Sequence, residues 1–156
     1  MIRGIPEFYR PNVGLVLIAR DRRIFVGERT GMRGAWQMPQ GGVDHGETPV
    51  EAACRELAEE VGTTRALLLR ESSDWLTYDF PPEIDLGRWE GRWRGQAQKW
   101  FALAFTGTDA DIDIRTHDHE FEAWQWARPA DVLGWIIPFK RPVYERVLEE
   151  FSDLIS

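Results

Sequence analysis

Three glutamates on one predicted helix have the types and spacing to do chemistry. Glu56, Glu59 and Glu60 stand at i, i+3 and i+4, which places three carboxylates on one helix face within about 6 Å of one another. Carboxylates this close repel each other unless they face water or a hard divalent cation such as Mg²⁺ or Mn²⁺ compensates them. By spacing alone, a solvated acidic helix face is the commoner explanation.

The acidic residues of the whole chain are unevenly placed. The formal net charge is −7, yet residues 41–62 and 106–127 each carry −5, and the rest of the chain sums to +3. Acidic clusters beside basic segments suit a divalent metal that bridges a phosphate, whereas solvated helix and loop charge is the alternative. The negative total argues against a generic basic nucleic-acid binder.

A helix must present the glutamates, and strands must support that helix. Thr48 is a typical N-cap, Pro49 suits the first helical position and Gly62 suits the residue after the last turn, so we expect a helix over 49–61. Apolar runs predict strands, and an apolar stripe predicts a closing helix. The predicted strands are 13–19, 24–26, 36–38, 66–69, 75–80, 98–105 and 121–126, and the closing helix is 142–154. This order predicts an α+β sandwich.

Composition indicates one ordinary globular domain over residues 1–156. Hydrophobic residues make up 43% of the chain, which excludes collagen-like, coiled-coil and disordered architectures. Cys54 is the one cysteine; we expect it to be buried on the helix, and without an internal disulfide a reducing compartment is expected. We find no secretory signal and no apolar run of 18 residues, so we expect a cytoplasmic protein without membrane association.

The residues around the three glutamates follow a longer pattern, G-x5-E-x7-R-E-U-x-E-E-x-G-U, in which U is a bulky aliphatic residue. Its matched positions are Gly41, Glu47, Arg55, Glu56, Leu57, Glu59, Glu60 and Gly62. Only Thr63 departs, where an aliphatic residue is expected. With this box the chain resembles the Nudix hydrolases, and the resemblance implies an α/β/α sandwich around a mixed sheet.

The Nudix resemblance also implies a role for each residue of the box. The three glutamates, called the box glutamates below, would bind the divalent metal ions, Mg²⁺ or Mn²⁺, with the backbone carbonyl of Gly41. Glu47 and Arg55 would form a structural pair that holds the loop against the helix.

Four further motifs resemble the bacterial RNA pyrophosphohydrolase branch of the Nudix hydrolases, which also contains diadenosine polyphosphate hydrolases. They are YRPNVG (9–14), WQMPQGG (36–42), GQAQKWF (95–101) and FKRPVY (139–144). The branch implies phosphate contacts from Arg10 and Arg29, a substrate contact from Tyr78, and a base-stacking and phosphate-contacting pair in Phe139 and Lys140. By residue type alone, the arginines would be surface charges and the phenylalanine a core residue.

The resemblance implies a metal-dependent pyrophosphohydrolase. Its expected substrate is the 5′-triphosphate or diphosphate end of RNA, and the product is 5′-monophosphate RNA. The branch also places Glu120 near the metals, so Glu120 or a box glutamate would accept the proton of the attacking water. The alternatives are a dinucleoside polyphosphate hydrolase with the same site and a non-catalytic nucleotide-binding module.

The segment RWEGRWR (88–94) interleaves Trp89 and Trp93 with arginines. Such a loop can stack bases and contact phosphates, or its aromatic rings can pack against its own cations. We expect packing.

Overall fold

The computed structural model describes residues 4–82, 93–116 and 119–155, and within them a mixed sheet lies between two helical layers. Its strands are β1 (Tyr9–Ile18), β2 (Ile24–Arg29), β3 (Trp36–Gln37), β4 (Gln40–Gly42), β5 (Ala66–Glu71), β6 (Leu76–Asp79), β7 (Gly95–Phe105) and β8 (Phe121–Ala127). The helices are α1 (Pro49–Glu56), α2 (Pro129–Trp135), α3 (Arg141–Glu150) and α4 (Ser152–Ile155). This layering confirms the predicted sandwich.

The centre of the sheet is the parallel pair of β1 and β7, which stay in register from Tyr9 opposite Gly95 to Ile18 opposite Ala104. The strand order is β3-β2-β1-β7-β5, with β4 beside β1, β6 beside β7 and β8 beside β2. A central strand covered on both faces needs apolar residues at successive positions. The run from Leu15 to Leu17 meets that need, since all three residues are fully buried.

Alternate residues of β1 enter two separate cores, because successive side chains of a strand point to opposite faces. Val13, Leu15 and Leu17 pack towards α1, whereas Val16 and Ile18 pack towards the layer that contains α3. The two faces of the sheet are called the α1 face and the α3 face below.

The predicted helix over 49–61 begins as expected and changes form halfway. A reciprocal capping box joins Thr48 and Glu51, and Pro49 opens α1. From Leu57–Val61 the chain forms a π-helical turn, which ends at Gly62 in the left-handed region with φ 77°. A Cβ at Gly62 would overlap the backbone of Asp113, so glycine is required there.

Three expectations need correction. Strand β4 was not predicted, because its three residues, Gln40–Gly42, carry no apolar signal. The closing helix divides into α3 and α4. Cys54 is exposed rather than buried, because it lies beside and not within the buried stripe of Ala53 and Leu57.

Candidate active site

Arg55 is the centre of an ionic cluster where the β4 loop meets α1. Its Nε and Nη2 donate to both carboxylate oxygens of Glu47, at 2.8 and 2.9 Å, and Nη2 also donates to the carbonyl of Gly42 at 2.7 Å. These hydrogen bonds lower the pKa of Glu47 and raise that of Arg55, so both groups stay charged. The planar fork of arginine explains how one side chain joins loop and helix.

The same guanidinium also meets two of the box glutamates. Its Nη1 donates to Oε1 of Glu56 at 2.8 Å and to Oε2 of Glu59 at 3.1 Å. Glu60 turns elsewhere, and its Oε1 accepts from the backbone N–H of Gln40 at 2.9 Å. Within the described ranges, no three acidic, histidine or cysteine side chains gather into a group that could hold a metal.

Burial separates these glutamates from an ordinary acidic helix surface. Glu56 and Glu60 are only 7% and 5% exposed, and Glu59 is partly exposed. Ionised carboxylates are rarely buried unless a positive charge or hydrogen bonds compensate them. The solvated-face alternative therefore fails for two of the three carboxylates.

Two adjacent glycines let charged side chains approach β4 closely from both faces of the sheet. A Cβ at Gly41 would overlap the carboxylate of Glu56, and a Cβ at Gly42 would overlap the guanidinium of Arg10. Each glycine thus makes room for a charged side chain, Gly41 on the α1 face and Gly42 on the α3 face. Glycine is the residue that permits such an approach of side chain to backbone.

Lys140 lies on the α3 face and is only 6% exposed. Its Nζ donates to Oε1 of Gln37 and Oε1 of Gln40, each at 3.3 Å, and lies 5.9 Å from the ring centroid of Tyr78. Burial, and to a smaller extent the nearby charge of Arg29, together lower the pKa of Lys140 to about 8. Glu120 and Glu60 act in the opposite direction.

Tyr78 and Phe139 form the aromatic part of the site, with ring centroids 5.7 Å apart. Burial raises the pKa of Tyr78 to about 12, while a hydrogen bond from Gln40 and the charges of two arginines oppose the rise. Those arginines are Arg29 and Arg10. Because the charges of both arginines act on Tyr78, both side chains lie near the aromatic pair.

Arg29 and Glu120 meet where β2 ends and β8 is about to begin. Nε of Arg29 lies 3.8 Å from Oε1 of Glu120, and both side chains are partly exposed. The backbone carbonyl of Glu120 also accepts from the N–H of Thr30 at 3.0 Å. An ion pair that is this long and open to water is weak, so both side chains remain available to contact a substrate.

The structure thus brings the residues singled out from the sequence into one region, in which β4 lies between the ionic cluster and Lys140. Sequence reasoning assigned no role to Asn12, Gln37, Gln40 or Gln98, although all four lie in motifs that were recognised. Gln37 and Gln98 offered a signal, because each is an amide side chain within a predicted strand, whereas Asn12 and Gln40 lie just outside the predicted strands. Trp89 and most of the RWEGRWR segment lie outside the described residues.

Comparison with known proteins identifies the family. The NUDIX domain profile matches residues 8–147. An RNA pyrophosphohydrolase of Rhodospirillum rubrum is 51% identical over 149 residues, which cover 96% of this chain and 89% of that protein. Nudix hydrolase 25 of Arabidopsis thaliana is 43% identical over 162 residues, covering 99% of this chain and 93% of that protein. The chain belongs to the Nudix family.

Among solved structures, the E. coli dihydroneopterin triphosphate pyrophosphohydrolase has the same fold, with a TM-score of 0.68 at 21% identity. The match covers 90% of this chain and 97% of that one. The predicted Nudix fold and the class of Nudix hydrolase are confirmed. Enzymes of this family in general use divalent metal ions.

In the described part of the chain, no helix has the length and apolar character needed to cross a membrane.

Proposed function

We propose that this Nudix hydrolase acts on the 5′-triphosphate or diphosphate end of RNA and leaves 5′-monophosphate RNA, a step of mRNA decay in the cytoplasm. The observation that carries the proposal is that Gln40 contacts both a buried carboxylate, that of Glu60, and a buried ammonium, that of Lys140. The 51% identity to a protein named RNA pyrophosphohydrolase supports the same substrate.

The donor chemistry fits a hard divalent cation, Mg²⁺ or Mn²⁺, although the carboxylates point to Arg55 and Gln40 in this structure and would turn to share one cation. The box glutamates and Glu120 supply carboxylate oxygens, and Gly41 supplies a backbone carbonyl, which are the ligands such cations prefer. Buried Glu56 and Glu60 require positive charge nearby, as the contact of Arg55 with Glu56 illustrates. A bound divalent cation neutralises developing negative charge on phosphate oxygens and increases the acidity of water.

Cationic and aromatic side chains would hold the substrate. Arg10 and Arg29 would donate paired hydrogen bonds to phosphate oxygens. Lys140 would add a third positive charge, which remains protonated below its pKa of about 8. The rings of Tyr78 and Phe139 would pack against a nucleotide base.

Hydrolysis then needs an oriented water and a proton acceptor. The water oxygen would bond to one phosphorus while the phosphoanhydride bond opposite it breaks, so that phosphate or pyrophosphate leaves. Glu120 or a box glutamate would take the proton of the water. Glu120 suits this role because its carboxylate is partly exposed and contacts Arg29 rather than a buried partner.

A turnover assay with a panel of substrates tests the proposal. Triphosphorylated RNA, diphosphorylated RNA, capped RNA and diadenosine tetraphosphate are compared with and without Mg²⁺ or Mn²⁺. We expect metal-dependent release of 5′-monophosphate RNA with the highest kcat/KM for the uncapped RNA ends. A clear preference for the dinucleotide would contradict the RNA assignment, and turnover that survives metal removal would contradict the metal-dependent reaction.

A further inference from the structure

A chain of side-chain hydrogen bonds runs from the core of the α3 face to Lys140. It begins at Trp100, which is fully buried and whose Nε1 donates to Oε1 of Gln98 at 3.1 Å. Nε2 of Gln98 donates to Oδ1 of Asn12 at 2.8 Å and to Oε1 of Gln40 at 3.3 Å. Oε1 of Gln40 also accepts from Lys140.

The first link determines which way the second side chain points. An indole N–H can only donate, so Gln98 must present its oxygen to Trp100. The amide nitrogen of Gln98 then lies on the opposite side, towards Gln40. Because that nitrogen can only donate, Gln40 turns its side-chain oxygen, and not its amide nitrogen, towards Gln98.

This orientation is the one that Lys140 needs. An ammonium group has three donors and no acceptor, so the oxygen of Gln40 attracts it and the amide nitrogen would repel it. The hydroxyl of Tyr78, the other polar neighbour of Gln40, both donates and accepts, so it selects neither orientation. Without the indole N–H, Gln98 could reverse its amide and present its oxygen to Gln40. Gln40 would then turn its amide nitrogen towards Gln98, and Lys140 would lose its acceptor.

We propose that Trp100 and Gln98 are positioning residues, which orient the amide of Gln40 and thereby hold the ammonium of Lys140 where it binds substrate phosphate. The proposal rests on the function proposed above, because it assigns Lys140 to the substrate. Neither Trp100 nor Gln98 touches the substrate, so their influence passes through Gln40.

Trp100→Phe tests the first link, since it removes the indole N–H and keeps an aromatic ring. We expect KM for triphosphorylated RNA to rise about threefold to tenfold, the worth of one hydrogen bond, with a smaller change in kcat. The matched control is Trp126→Phe, which removes an indole hydrogen bond to Asp109 (2.9 Å) far from Lys140 and leaves KM unchanged. An unchanged KM in Trp100→Phe overturns the proposal.

Double variants distinguish an effect that passes along the hydrogen-bond chain to Lys140 from a general loss of packing. In a Lys140→Met background, Trp100→Phe should cause no further rise in KM, because its effect passes through the lysine. In a Gln40→Glu background it should again cause none, because a carboxylate presents oxygen in either orientation. An equal rise in KM in all backgrounds shows a purely structural effect and overturns the proposal.

Two further measurements keep the test decisive. If Trp100→Phe does not fold by circular dichroism, Gln98→Met replaces it, with the same expected rise in KM and the same double variants. If neither the wild type nor Trp126→Phe hydrolyses RNA, the proposed function falls. The positioning role is then tested by calorimetric Kd values for pyrophosphate. We expect the same ratios between variants for Kd as for KM, and an unchanged Kd in Trp100→Phe, or an equal rise in all backgrounds, overturns the proposal.

Discussion

On the α1 face Arg55 contacts the carboxylates of Asp44, Glu47, Glu56 and Glu59, whereas on the α3 face Lys140 contacts neutral amides and an aromatic ring. The guanidinium is partly exposed and keeps its charge, because its partners carry the opposite one. The ammonium is buried, and its pKa falls to about 8. One face thus stabilises its cation by ion pairs, and the other tolerates a cation at a cost to folding.

The difference indicates which variants affect chemistry, binding or stability. Ion pairs on the α1 face orient carboxylates, so changes there should lower kcat. Neutral amide acceptors on the α3 face hold a buried cation, so changes there should raise KM and alter the free energy of unfolding.

The largest expected effect tests the α1 face as the catalytic half. Glu59→Gln keeps the shape of the side chain and removes its charge, so we expect kcat to fall roughly 10²- to 10⁴-fold, equivalent to several kcal/mol. The matched control is Glu149→Gln on the exposed side of α3, which should retain wild-type kcat. Full activity in Glu59→Gln would refute the catalytic role of the box.

Arg55→Lys asks whether the fork, and not merely the charge, organises the cluster. A lysine cannot contact Glu47 through two parallel bonds and also reach Glu56, so we expect kcat to fall roughly 10- to 100-fold. Arg146→Lys, which alters an exposed pair with Asp74, is the control in the same assay. Equal kcat values for the two variants would show that charge alone suffices.

Lys140→Met sharpens the contrast, because it should weaken binding and stabilise the fold. We expect KM to rise about tenfold, the worth of one charge-assisted hydrogen bond, while the free energy of unfolding at pH 7 rises by at most about 3 kcal/mol. Urea titration measures the latter.

The pH dependence of this gain has a definite sign. Below pH 8 Lys140 is protonated in both states, so burial of its charge destabilises the fold in full. Between pH 8 and its ordinary pKa of 10.5, only the unfolded chain keeps the proton, so wild-type stability rises and the advantage of Lys140→Met shrinks. A difference that stays constant across this range would contradict the buried-charge explanation.

The smallest expected effect concerns a neutral bond on the α3 face. The hydroxyl of Tyr144 accepts from the buried N–H of Met38 at 2.8 Å, and Tyr144→Phe leaves that donor without its partner. We expect a loss of about 1 to 3 kcal/mol in the free energy of unfolding, with kcat unchanged. Tyr9→Phe, which removes an exposed bond to Asp79, should cost less in the same titration.

Prediction from sequence succeeded where a local rule was enough. Thr48 and Gly62 marked the two ends of the helix over 49–61, because a capping box and a glycine after the last turn are signals that can be read from neighbouring residues. The π-helical turn between them was not predicted, since no propensity distinguishes it from the α-helix that it interrupts. Strand β4 was missed because its pairing with β1 satisfies backbone groups and buries little apolar surface.

The sequence by itself determined the box: the identity and spacing of Glu56, Glu59 and Glu60, the family to which they belong, and the class of reaction they suit. Only the tertiary structure decided that Glu56 and Glu60 are buried and that Lys140 lies among amides. Spacing along one helix places its own side chains, but burial and partner choice depend on strands distant in the chain. For Lys140 those contacts come from Gln37 and Gln40, a hundred residues away.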